Sequence, residues 1–197
     1  MGRMKTMTST MNLNNAFIRF GAVVCIGLLQ TAAALAGDSN DNRGQLSSSD
    51  YKFAKEAAMG GQMEVQLGKL AAQKSTNPSV QQFGQRMVAD HGKAGQTLKG
   101  IAAKNGATLP DTMSTSAQRE EDRLNKLSGE DFDKEYVSLM VKDHKKDLKE
   151  FQHAAKSVEN PELKQFAEST SQVIQEHLTM IQDIQKQMSS SKTASNQ

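Results

Sequence analysis

The chain has 197 residues, with 24 Lys and Arg against 22 Asp and Glu for a formal charge of +2, and a single cysteine. A length of this order suits one domain with a sizeable core. Near-balanced charge leaves no basic patch of the kind nucleic acid requires.

Residues 1–36 read as a secretory signal peptide. Arg3, Lys5 and Arg19 give a basic start with no acid, Phe20 to Leu35 is apolar, and Ala34-Leu35-Ala36 supplies an A-x-A cleavage site. The apolar run is short and broken by Gln30 and Thr31, whereas a membrane span needs ~20 apolar residues. Cys25 follows Val24, where a lipoprotein signal needs a small residue, so lipidation is not expected. Without the leader, residues 37–197 hold 21 basic and 22 acidic residues, a formal charge of −1, and no cysteine. The mature fold must then stand without disulfides, zinc-finger ligands or thiol chemistry. No transmembrane span remains.

Residues 37–49 form a polar linker without periodicity, expected to be disordered, and Ser47, Ser48 and Ser49 offer helix caps. A domain over residues 50–188 follows. Its first long helix, Asp50 to Ser75, carries the stripe Phe53, Ala57, Gly60, Glu64, Leu67 and Ala71. Glu64 stands in that apolar row, among glycines (Gly60, Gly61, Gly68) expected to admit a neighbouring helix closely. Asn77-Pro78 then caps and starts a second helix reaching Lys104, with the stripe Val80, Gly84, Met87, His91, Ala94, Leu98 and Ile101. Asn105-Gly106 ends it.

Residues 106–129 make one long connection, with a short amphipathic helix expected over Ala117 to Leu127. The third long helix, Glu130 to Val158, carries Val137, Met140, His144, Asp147, Phe151, Ala154 and Val158 on one face. Asn160-Pro161 repeats the earlier device and opens a fourth helix to Met188, with the stripe Leu163, Ala167, Thr170, Ile174, His177, Ile181, Ile184 and Met188. Residues 189–197 are expected to be a disordered polar tail.

Short turns join the first helix to the second and the third to the fourth, so two hairpins are expected. The long link can run back along the bundle. The fold class is therefore all-α, a ferritin-like four-helix bundle with one long crossover carrying a short helix. From this crossover the first and third long helices are expected to be parallel, and the second and fourth likewise.

Long helices of 26 to 29 residues are ~40 Å long. Glu64, His91, His144 and His177 each sit mid-helix on the core stripe, so antiparallel packing is expected to put them in one layer. His153 lies about half a turn off the stripe and should be solvated. One carboxylate and three imidazoles suit one Zn, Cu or Fe ion. Asp90, Asp143, Asp147 and Glu176 are near enough in sequence to orient imidazoles by hydrogen bonding. Glu64, His91, His144 and His177 can equally bond to one another and fix helix register without a metal. A di-iron signature is missing, because Val88, Val141 and Ile174 stand where Glu should precede each His by three. No spare carboxylates are expected to bridge two irons, which ranks a ferritin-like oxidase or peroxidase last and argues against an enzyme. Met59, Met63, Met87, Met140 and Met180 are read as core rather than as copper ligands.

Glu64-Val65-x-Leu67-Gly68-x-Leu70-Ala71, the pairs Asp90-His91 and Asp143-His144, Phe132-Asp133 and Glu176-His177 together resemble one family of exported bacterial proteins. It is the domain of unknown function 4142 family, whose members are often labelled as outer-membrane or exported proteins. The resemblance covers about residues 48–186. It implies a ferritin-like fold, an exported location (periplasm or outer membrane), and recurrent Glu and His positions that map onto Glu64, His91, His144 and His177. It supplies no reaction. Two functions remain open: metal binding at the layer, with a role in envelope stress or metal handling, and a metal-free structural or interaction module. Under either, an oligomer or an envelope protein partner is compatible with the chain.

Overall fold

The structure is a computed structural model that describes residues 45–195. The expected signal peptide and cleavage site, Cys25 and residues 37–44 of the expected linker lie outside those residues. Five helices follow in order: α1 (Ser48–Lys74), α2 (Pro78–Lys104), α3 (Thr115–Asn125), α4 (Gly129–Ser157) and α5 (Pro161–Ser195). Among the described residues no helix is long and apolar enough to cross a membrane.

The expected punctuation is where the helices begin. Ser47 Oγ accepts from the Asp50 amide at 3.1 Å, and Asn77 Oδ1 accepts from the Ser79 amide at 2.9 Å with Pro78 at the first helical position. Asn160 Oδ1 likewise accepts from the Leu163 amide at 3.0 Å. Each bond satisfies one amide that the first helical turn would leave orphaned. Gly106, at φ 68, sits just past the end of α2, where the chain turns out of the helix through the left-handed region.

Three helices differ from expectation by two residues or more, and α3 spans Thr115–Asn125 rather than Ala117 to Leu127. α1 begins at Ser48, inside the stretch read as linker. α5 continues to Ser195, through most of the segment expected to be a disordered tail. Nothing there breaks a helix. Ser189 and Ser190 return their hydroxyls to the Gln185 and Lys186 carbonyls at 2.9 and 3.0 Å, so the serines are accommodated within it.

Buried side chains at the two ends of the bundle report helix direction. Asp50, at the start of α1, accepts from the Glu159 and Asn160 amides of the α4–α5 turn at 3.2 and 2.8 Å. At the other end, Asp133 near the start of α4 accepts from Ser75 and Thr76 beyond the end of α1. α1 and α4 are therefore antiparallel. Asn160 donates to Asn105 at 3.0 Å and Lys104 pairs with Glu162 at 2.9 Å, so α2 and α5 are antiparallel too. The crossover is present, but the expected helix directions are wrong. A chain that traverses the bundle after α2 restarts at the end where α2 began. α4 therefore copies the direction of α2, and the order is up, down, down, up.

α1 and α2 cross in close contact at Gly68 and Gly84. A Cβ built on Gly84 would lie 2.6 Å from the Gly68 carbonyl oxygen, and one on Gly68 would lie 2.7 Å from the Gly84 oxygen. Gly60 and Gly61 do not have this role, since a Cβ on either meets nothing within 4 Å. They line instead a cleft of about 950 Å³ between α1 and α4.

The core falls into two apolar clusters. One gathers Leu67, Phe83, Met87, Phe132, Tyr136, Met140 and Ile181, closed by Leu124 of α3. The other gathers Ala54, Leu98, Ile101, Phe151, Leu163, Phe166 and Ile174. Each fully buried Leu, Ile or Phe contributes about 1.5–3 kcal/mol. Met87 and Met140 are fully buried in the first cluster, and Met63 and Met180 pack on it, as the core reading of these methionines requires, whereas Met59 is half-buried and lines the cleft. Between the two clusters runs a polar layer.

Candidate metal centre

The layer consists of Glu64 from α1, His91 from α2, His144 from α4 and His177 from α5. They are 3%, 5%, 0% and 0% exposed. The mid-helix placement read from the sequence brings all four together. The imidazole centroids lie 6.0 Å (His91–His144), 5.2 Å (His91–His177) and 5.7 Å (His144–His177) apart. One nitrogen from each ring lies within 4.8 Å of the other two.

Each imidazole gives one nitrogen to an acceptor outside the trio. His91 Nδ1 stands 2.7 Å from Glu64 Oε2, His177 Nε2 stands 2.8 Å from Asp90 Oδ2, and His144 Nδ1 stands 3.0 Å from the Met140 carbonyl. A carbonyl or an ionised carboxylate only accepts, so these nitrogens carry the protons. That fixes the tautomers and turns the remaining lone pairs inward. His91 Nε2 faces His177 Nδ1 at 3.2 Å, and His144 Nε2 is buried with no hydrogen-bond partner, 3.6 Å from the equally unpartnered Glu64 Oε1. With all three rings neutral, three acceptors and a carboxylate oxygen meet with no donor among them, and a proton taken up by His91 would make its Nε2 a donor to His177 Nδ1.

The electrostatics follow from burial and pairing. Burial alone opposes charge on Glu64, but His91 first and the other two imidazoles after it outweigh burial and hold its carboxyl below the usual range. Burial likewise opposes a charged His91, and Glu64 overcomes it, so the His91 pKa is raised. His144 has no such carboxylate bond, and burial pushes it down to about 4. For His177 burial also dominates, and the Asp90 bond only partly offsets it.

The four residues expected to orient imidazoles behave differently from one another. Asp90 does so, but for His177 on α5 rather than for its sequence neighbour His91. Its own carboxyl, opposed by burial, is held down by bonds from His177 and Arg86. Glu176 is exposed and acts only through Arg86, which pairs with it at 2.9 Å and with Asp90 at 3.1 Å. Asp143 and Asp147 orient no imidazole. They gather with Glu64, one oxygen from each lying within 4.8 Å of the others. Their expected part in orienting imidazoles is therefore corrected: they group with a carboxylate instead. Burial and the Glu64 charge push Asp143 up to about 7, and burial, Glu64 and Asp143 push Asp147 up to about 8. Sequence reading missed this second group because α1 and α4 part around the cleft and leave it room. The signal was present: Asp147 lies on the His144 stripe and Asp143 is one turn before it. His153 is exposed, as its position off the stripe requires.

The DUF4142 family, described as a domain of unknown function, matches residues 36–184. The chain belongs to this family. No curated protein matches it. Among solved structures this DUF4142 chain is similar to a DUF305 fragment from Deinococcus radiodurans, with a TM-score of 0.65 and 11% identity over 73% of this chain and 99% of that one. It is similar to CopM in its Cu(II)-bound form, with a TM-score of 0.61 and 14% identity over 70% and 96% of the two chains. A DUF305 protein from Streptomyces coelicolor, described as a candidate secreted protein, matches with a TM-score of 0.62 and 14% identity over 72% and 94%. At these identities the likeness establishes a shared helical-bundle fold.

Proposed function

We propose that this DUF4142 protein is exported and binds one metal ion at the layer, through His91 Nε2, His144 Nε2 and His177 Nδ1 with Glu64 beside them. The single observation that carries the reading is the convergence of three imidazole lone pairs whose outer nitrogens are each tied to a carboxylate or carbonyl. Histidine ligands are oriented in this way at metal sites. Ligands about 2.0–2.1 Å from a tetrahedral ion stand about 3.3 Å apart, close to the 3.2 Å between His91 Nε2 and His177 Nδ1. Imidazoles suit Zn, Cu and Fe. The copper- and silver-bound forms of CopM make copper the first ion to test. Metal handling or envelope stress is the role such a site fits in the periplasm or at the outer membrane.

A second reading rests on the same 3.2 Å contact. One proton shared between His91 Nε2 and His177 Nδ1 satisfies both rings, and the layer then sets helix register without a metal.

Metal content of tag-free protein, after dialysis against Cu or Zn, tests the first reading. Wild type is expected to hold one ion per chain and His144→Ala none. An ion-free wild type would reject it. Export is tested separately by intact mass, which should correspond to residues 37–197. A full-length species would contradict cleavage after Ala36.

A further inference from the structure

The carboxylates of Glu64, Asp143 and Asp147 form a group that adjoins the imidazole layer only through Glu64. Asp143 and Asp147 stand one turn apart on α4, Glu64 reaches them from α1, and their oxygens come within 4.8 Å of one another. We propose that this group is a second cation site, which takes a hard divalent ion such as Mn²⁺ while the histidines take a softer one.

Two observations point to a ligand beyond the clustering of acids. Glu64 is only 3% exposed, and its Oε1 has no hydrogen-bond partner, because Oε2 is the oxygen engaged by His91. Asp143 Oδ2 is also buried with no partner. Buried carboxylate oxygens ordinarily find donors, and here two in one cluster have none. The cation beside the group is Lys146, whose ammonium lies 3.6 Å from Asp147 Oδ1 and is mostly exposed to solvent. It stands at the rim and leaves the inner oxygens unanswered.

The ligand class follows from the donors. Three carboxylates with no nitrogen or sulfur suit Mg²⁺, Ca²⁺ or Mn²⁺ and offer little to Cu(I). All three residues line the α1–α4 cleft, which admits the ion and the waters that complete its coordination. Glu64 stands between the two groups, with Oε2 on His91, Oε1 3.6 Å from His144 Nε2, and one carboxylate oxygen within 4.8 Å of those of both acids.

Mn²⁺ is the probe, read by loss of the free-ion EPR signal as it is titrated into tag-free protein. Wild type is expected to remove one Mn²⁺ per chain. Asp143→Asn/Asp147→Asn, which keeps size and removes charge, is expected to bind Mn²⁺ at least tenfold more weakly while copper binding is unchanged. His177→Ala is expected to lose copper and keep Mn²⁺ within threefold. Mn²⁺ should also raise the melting temperature of wild type and not that of the double Asn variant. If copper fails to bind but Mn²⁺ titrates as described, the layer reading falls and this one stands. No saturable Mn²⁺ site in wild type would overturn the proposal. So would a double Asn variant that binds like wild type, or loss of Mn²⁺ in His177→Ala.

Discussion

Gly84→Ala tests how the fold positions the layer. The added Cβ would stand 2.6 Å from the Gly68 carbonyl oxygen, 0.8 Å inside the 3.4 Å where ordinary contact begins, and 2.9 Å from the Ala72 nitrogen. Both obstacles are α1 backbone, so no side chain can swing aside, and α1 and α2 must separate. Overpacking of this kind costs about 1–3 kcal/mol. For a domain of this size that lowers the melting temperature by roughly 2–12 °C. The displacement also reaches the site. Glu64 lies one turn before Gly68 on α1 and His91 two turns after Gly84 on α2, and their 2.7 Å bond spans the helices being pushed apart. Gly100→Ala is the control: its Cβ meets nothing within 4 Å. There the better helix propensity of alanine should add up to about 1 kcal/mol. Thermal melts of the two variants and wild type decide it. A Gly84→Ala protein as stable as Gly100→Ala would refute the close crossing.

Two further outcomes are expected. In metal-free protein the depressed pKa of His144 means that the folded state resists a proton the unfolded chain accepts, so His144 costs stability as pH falls from about 6.5 to about 4, on the order of 3 kcal/mol in full; melts across that range should show His144→Leu gaining on wild type toward acid, and parallel curves would contradict it. Asp90→Ala removes the acceptor that orients His177 and should weaken metal binding about 10–100-fold, whereas Glu176→Ala and His153→Ala, both at exposed positions, should leave metal affinity and stability nearly unchanged in a titration followed by a melt.

The helices and the four layer residues were legible because both depend on local periodicity. His91, His144 and His177 occupy stripe positions whose neighbours one turn away are apolar but for Asp147, and Asn77-Pro78 and Asn160-Pro161 mark helix starts chemically. What escaped depends on distances between helices. Gly60, Gly61 and Gly68 look alike in sequence, yet only Gly68 meets a facing glycine, while the other two border open space. Asp143 was read beside His144, its neighbour in sequence, and instead faces Glu64 across the α1–α4 gap. Asp90 crosses to α5 for the same reason: a side chain half off the stripe reaches the adjacent helix more easily than the next residue of its own. The helix directions were misread from topology rather than chemistry. A long crossover that returns along the bundle makes α2 and α4 run the same way, which leaves α1 and α4 antiparallel.

The most direct test of the metal layer is the thermal melt of wild type and His144→Leu, each with chelator and with added Cu, Zn or Fe. An ion that binds the folded state preferentially stabilises it by about 2.7 kcal/mol at a hundredfold excess over its dissociation constant, or roughly 5–11 °C here. Wild type should therefore melt higher as metal is added and fall back with chelator, while His144→Leu, lacking the unpartnered Nε2, should respond to neither. A wild-type melt indifferent to every metal, with His144→Leu at least as stable, would contradict the account.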